Sequence, residues 1–182
     1  MVTSQTMICN PTVMSPKNRK VFFDWLLRKP DTQETVQERI HSRAESAKDG
    51  SIAKVNCIGT ALYLSGEKRR DKFVRPQDAD DFLKHLKRLS DPIEGCLVAW
   101  QTFYNDRKGR PRMYTFHMGV ITQTHPVLLI TDRVKLGGEV IQNQSFAEVN
   151  NYWSKGYKGL HKLEINYYLP RNLALRENLL RV

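Results

Sequence analysis

Apolar residues recur at helical spacing through the first half of the chain, then change to short continuous or alternating runs. Lys17 to Lys29 places Val21, Phe22, Trp25 and Leu26 on one face and stops before Pro30, which predicts an amphipathic helix. Thr32 to Lys48 predicts a second helix, with acids near its start and Gly50 beyond its end. Cys57 to Leu64 is a small-and-apolar run closed by Ser65-Gly66, and its Ala61, Leu62 and Leu64 favour a third. Asp78 to Leu89 carries acids in front and bases behind, with Phe82, Leu83, Leu86 and Leu89 on one face, so it predicts a fourth.

From Gly95 the pattern is that of strands. Cys96–Tyr104 and Tyr114–Thr122 form antiparallel neighbours around a basic turn at residues 105–112, and Val127–Thr131, 139–142 and Glu164–Tyr168 follow. Residues 145–157 read as a short aromatic-rich helix or loop, and the tail from Pro170 as a short helix. The fold class implied is α+β, a helical N-terminal half packed on an antiparallel sheet. Residues 1–15 form an arm, 16–169 one domain and 170–182 a tail.

Composition adds little to this picture except through charge. The chain has 182 residues, 40% hydrophobic and 26% charged, which suits one soluble domain. Its formal net charge of +10 suggests a polyanionic partner. The two halves are equally basic, and the densest run, Glu67-Lys68-Arg69-Arg70-Asp71-Lys72, is interrupted by acids, as expected of a solvated loop. Cys9, Cys57 and Cys96 are too few and too scattered for a disulfide framework or a structural zinc site. With neither a secretory leader nor an apolar membrane span in the pattern, a cytoplasmic location is the default expectation, with export by another route left open.

The residues that carry chemistry are Cys57 and His117. A nucleophilic cysteine works as a thiolate, which a helix N-terminus and an adjacent imidazolium both favour, and Cys57 stands at a predicted helix start. It needs a base, and the base needs an orienting group on its other ring nitrogen. His117 lies in a predicted strand, a rigid support, and the following strand ends in the polar pair Thr131-Asp132. Cys96 reads as a buried small residue. Trp25, Trp100 and Trp153 read as core or groove walls, with no basic and aromatic interleaving to make a stacking platform.

Four motifs extend this reading in order along the chain. They are Asn56-Cys57-Ile58-Gly59, Pro92-Ile-Glu-Gly95-Cys96-Leu97-Val98, His117-Met118-Gly119-Val120 and Tyr152-Trp153. In order and spacing, over residues 52 to 160, they resemble the NlpC family of papain-like cysteine peptidases, known chiefly as bacterial cell-wall hydrolases. The resemblance implies a papain-like fold, Cys57 as nucleophile, His117 as base and a polar third residue on the next strand. Asp132 is preferred there, with Thr131 as the alternate, because a carboxylate stabilises an imidazolium more strongly than a hydroxyl does. It also implies that the backbone N–H of Cys57 is one oxyanion donor. The family's nucleophile is flanked by Asp and Ser, associated with substrate recognition; here Asn56 and Ile58 stand at those substrate-binding positions.

The expected activity is hydrolysis of an amide or peptide bond, with a peptidoglycan-type peptide as the family's substrate, and neither metal nor organic cofactor is required. Two alternatives are a catalytically inactive papain-like binding domain and a small basic nucleic-acid-binding protein.

Overall fold

The computed structural model describes residues 35–48, 55–134, 138–156 and 163–173. The helix predicted around Trp25, the arm before it and the end of the tail lie outside the described residues. In chain order the elements are α1 (Val36–Lys48), α2 (Cys57–Leu64), α3 (Pro76–Leu83), β1 (Lys87–Leu89), β2 (Leu97–Asn105), β3 (Pro111–Gln123), β4 (Leu129–Arg133), β5 (Val140–Ser145), α4 (Phe146–Gly156) and β6 (Leu163–Leu169). The strands form one antiparallel sheet in the order β1-β6-β2-β3-β4-β5. Helices plus this sheet make the fold α+β, as expected. Among the described residues no helix is long and apolar enough to cross a membrane.

Both faces of the sheet are covered, which explains why β2 reads as a continuous apolar run. Leu97, Ala99, Met118 and Val120 face a core with Ile40, Ala44, Ile58, Ala61, Leu62 and Leu83 of the first three helices. Val98, Trp100, Phe116, Ile121 and Ile130 form a second cluster with Val149 of α4, against which Trp153 packs. Alternate residues of one strand thus serve opposite cores.

Local chemistry sets the helix ends. Helix α1 begins in a reciprocal capping box, and residues 32–34 of the expected helix lie outside the described residues. The Glu38 backbone N–H donates to Thr35 Oγ1 at 3.1 Å and the Thr35 N–H to Glu38 Oε2 at 2.7 Å. The fourth predicted helix is shorter than its periodicity implied. It starts with Pro76 and ends at Leu83, and Lys87–Leu89 becomes an edge strand paired with Tyr167–Leu169. Backbone bonds from His85 to Phe82 and from Leu86 to Leu83 tighten its exit, so Leu86 is buried from a turn. Helix α3 docks on the sheet through a buried polar contact, where Asp80 Oδ1 accepts the Thr115 N–H at 3.0 Å. Burial raises the Asp80 carboxyl despite its Thr115 bonds.

Candidate active site

Helix α2 presents Cys57 at its first residue because Asn56 caps it. Asn56 is extended (φ −130°, ψ 169°), and its Oδ1 accepts the Gly59 N–H at 3.0 Å. The same oxygen accepts the Val74 N–H at 3.1 Å, and Nδ2 donates to the Val74 carbonyl at 2.8 Å. Ile58 is 1% exposed and packs in the helical core. Both side chains thus hold helix α2 in place. Cys57 is half-buried, and its Sγ lies 3.8 Å from the Phe116 carbonyl oxygen.

Gly59 completes this local design. A Cβ added there would stand 1.6 Å from the carbonyl oxygen of Lys72, so only glycine lets the segment around Lys72 lie against α2. Because backbone must move to relieve that contact, Gly59→Ala should cost about 3 kcal/mol, the upper end for overpacking, as measured by urea unfolding. A change of less than 0.5 kcal/mol, roughly the scale of a surface substitution, would show that the segment yields freely.

His117 comes from β3 at a bulge. Trp100 pairs with His117 and Gln101 with Thr115, leaving Phe116 as the extra residue. Phe116 and His117 consequently both reach Trp153 of α4: its ring stacks on His117 with centroids 4.2 Å apart and lies 6.1 Å from Phe116. Trp100 packs on the imidazole at 5.1 Å, and His117 has no exposed surface. Its Nε2 is 2.6 Å from Asp132 Oδ2, and Asp132 is itself buried. Register permits this, since Asp132 pairs with Gly119, two residues along from His117 on the same face. A Cβ at Gly119 would meet Ile130 Cδ1 at 2.4 Å and Asp132 Cβ at 3.1 Å, so that glycine leaves room for the carboxylate.

Of the two candidates for a third residue, Asp132 is the one that touches His117. Thr131 points to the other side, where its Oγ1 accepts the Asn143 N–H at 3.2 Å. Gln144 of β5 donates to the remaining Asp132 oxygen. Gln144 and the stacked Trp153 are contacts the sequence did not announce. The β5 strand runs to Ser145, past the end expected at Gln142, and only that extension reveals Gln144.

Burial alone disfavours the imidazolium, but the Asp132 hydrogen bond, the nearby Cys57 thiol and the attendant charges outweigh it, holding His117 above the ordinary histidine value. His117 Nδ1 is buried and makes no hydrogen bond. A raised folded-state value means that the pair contributes fully below the unfolded value near 6.5 and is lost as pH rises through the folded value. The stability advantage of the native chain over His117→Gln should therefore narrow as pH is raised from 6.5, in urea titrations; an advantage that grows with pH contradicts the assignment.

Cys96 is fully buried, and burial pushes its thiol up to about 12. His41 bonds Gln142 at the surface and His85 is exposed. His125 precedes a cis proline, and His161 lies outside the described residues. Among the described residues no three His, Cys, Asp or Glu side chains gather closely enough to hold a metal ion. No protein-family model, curated protein or solved structure matches this chain.

Proposed function

We propose that the chain is a papain-like cysteine hydrolase that cleaves amide or peptide bonds, a divergent relative of the NlpC peptidases. The observation that carries this reading is the series Cys57, His117, Asp132, Gln144. A half-buried thiol at a capped helix start adjoins an imidazole whose far nitrogen is held by a carboxylate, itself held by an amide. With Nε2 committed to Asp132, Nδ1 is the nitrogen left to exchange a proton with the thiol.

The chemistry then runs in two steps. The Cys57 thiolate adds to the amide carbonyl, the imidazolium gives its proton to the departing amine, and the C–N bond breaks to leave a thioester. Water, deprotonated by the imidazole, displaces the thiol and releases the carboxylic acid. The Gly59 N–H is taken by Asn56, so the backbone N–H groups of Cys57 and Ile58 are the donors of the first turn suited to a developing oxyanion. A peptidoglycan-type stem peptide is the substrate class favoured by the family pattern.

One observation favours a second reading, a catalytically silent binding domain. His117 has no exposed surface through which a substrate would reach it. Alkylation separates the two. In a Cys9→Ser background, with Cys96 buried, Cys57 should react with iodoacetamide at neutral pH at least tenfold faster than an ordinary accessible thiol, a ratio of roughly 1.4 kcal/mol in activation free energy. His117→Ala should remove that excess. A Cys57 rate equal to that of an ordinary thiol, unchanged by His117→Ala, supports the silent domain.

A further inference from the structure

The basic run after α2 differs in three dimensions from its appearance in sequence. Its interrupting acids are both occupied. Asp71 is nearly buried, with Oδ2 bonded to Arg133 at 2.8 Å and Oδ1 to Thr60 at 3.0 Å, and Glu67 accepts the Arg171 backbone N–H. Arg69, Arg70 and Lys72 point to solvent, and none pairs with an acid among the described residues. Together with Tyr63 and Ser46 they line a hollow of about 330 Å³, in which Asp71 is, among the described residues, the only acid. The Arg43 guanidinium sits 5.4 Å above the Tyr63 ring and adds another cation beside it.

The direction of this strip is fixed by four contacts. Lys68 bonds Leu62, Asp71 bonds Thr60, the Lys72 carbonyl lies against Gly59, and Val74 bonds Asn56. Residues 68–74 therefore run antiparallel to α2, from the cationic hollow near Tyr63 to the helix start that carries Cys57. Half-exposed Phe73 stands at the near end. Tyr63 is six residues along the helix from Cys57, about 9 Å at 1.5 Å per residue, and an extended peptide covers that distance in about three residues.

Building on the hydrolase reading, we infer that Arg69, Arg70 and Lys72 form an anion-recognition strip that selects amide substrates bearing a carboxylate within about three residues of the scissile bond. Guanidinium groups suit a planar carboxylate, and three unneutralised cations beside the nucleophile raise the local concentration of anionic substrate. The net charge of the protein is thereby put to use at one place. Asp71, by pairing inward, removes the charge that would otherwise cancel it.

The test compares two alkylating agents of similar size on the full chain carrying Cys9→Ser. Anionic iodoacetate and neutral iodoacetamide each form an Sγ–C bond with Cys57 and release iodide, so their rate ratio reports the local field. At low salt, R69Q/R70Q/K72Q should lower the iodoacetate to iodoacetamide ratio about threefold or more, the scale of exposed charge interactions. The iodoacetamide rate should change less, since the strip acts on that neutral reagent only through the thiolate fraction of Cys57, an effect common to both reagents that the ratio cancels. The charge-conserving R69K/R70K should keep the native ratio, and 0.5 M salt, a concentration at which screening acts within about 4 Å, should bring the native ratio down to that of the triple variant.

An unchanged ratio with a normal iodoacetamide rate overturns the strip while leaving the hydrolase reading in place. Failure of Cys57 to react faster than an ordinary thiol with either reagent overturns both. Duplex DNA retention that disappears in the triple variant, with no change in the ratio, would assign the strip to nucleic acid and also overturn the proposal.

Discussion

Asp132→Ala is expected to lower Cys57-dependent turnover of an activated ester such as p-nitrophenyl acetate by roughly 10²- to 10⁴-fold, the range set by general bases and the carboxylates that orient them. Three consequences of the deletion act together. The imidazole loses the 2.6 Å bond that fixes its Nε2, the positive charge formed during proton transfer loses its counter-ion, and Gln144 is left without the oxygen it donates to. Asp132→Asn should fall between native and Ala. Its amide keeps an oxygen for His117 and turns its NH₂ toward Gln144, which must then present Oε1 instead. Thr131→Ala, by contrast, should leave turnover within about threefold, because it breaks a bond to the Asn143 backbone and none to the imidazole. If Asp132→Ala kept native Cys57-dependent turnover, the carboxylate would be a structural partner of His117 and no part of a catalytic series.

The sequence made the pair legible through different kinds of signal. Cys57 was visible because a short small-and-apolar run and the glycine stop after it are local signals, and the structure has a helix over Cys57–Leu64 with Gly66 at φ 87° beyond it. His117 was visible as a strand residue, but its direction was not. The bulge that leaves Phe116 unpaired depends on how β2 and β3 meet, and nothing in either strand read alone marks it. The choice between Thr131 and Asp132 turned on strand parity, because neighbouring residues face opposite sides of a sheet. An uncertain turn length left that parity open. Gly119 opposite Asp132 settles the face.

Where sequence reading went astray, non-local contacts outweighed local pattern. The helix expected through Leu89 gives way at Leu83 because β6 offers Lys87–Leu89 a partner, and edge pairing outcompetes a few further helical residues. The resemblance put Asn56 and Ile58 at substrate-binding positions, and it gave no sign of their structural part: a cap and clamp for α2, and an apolar contact beneath it. The acids of the basic loop looked like interruptions in one dimension. Only the partner Arg133, more than sixty residues later, turns Asp71 inward.

Asp71→Ala should be the most destabilising of the substitutions considered, at about 3–5 kcal/mol, the cost of leaving one member of a buried ion pair without the other. The Arg133 side chain is 5% exposed and that of Asp71 10%. Besides Asp71, the guanidinium bonds Thr60 Oγ1 at 2.8 Å and the Gly138 carbonyl. Without the carboxylate these neutral acceptors remain, and they do not balance a desolvated cation. Removing both charges should be far milder. Asp71→Leu/Arg133→Met ought to recover most of the loss in urea unfolding, since well-packed apolar replacements avoid the desolvation of either ion. An Asp71→Ala cost below about 1 kcal/mol would mean that water reaches the guanidinium and the pair behaves as a surface one. The rescued double variant carries a second expectation. Arg133 follows Asp132 in β4 and holds Thr60 in α2, so it ties the strand bearing the carboxylate to the helix bearing the thiol. With stability restored but that tie cut, ester turnover should stay about tenfold below native, the penalty expected when a reacting pair is held loosely. Recovery of turnover along with stability would reduce the Arg133 clamp to a role in folding alone.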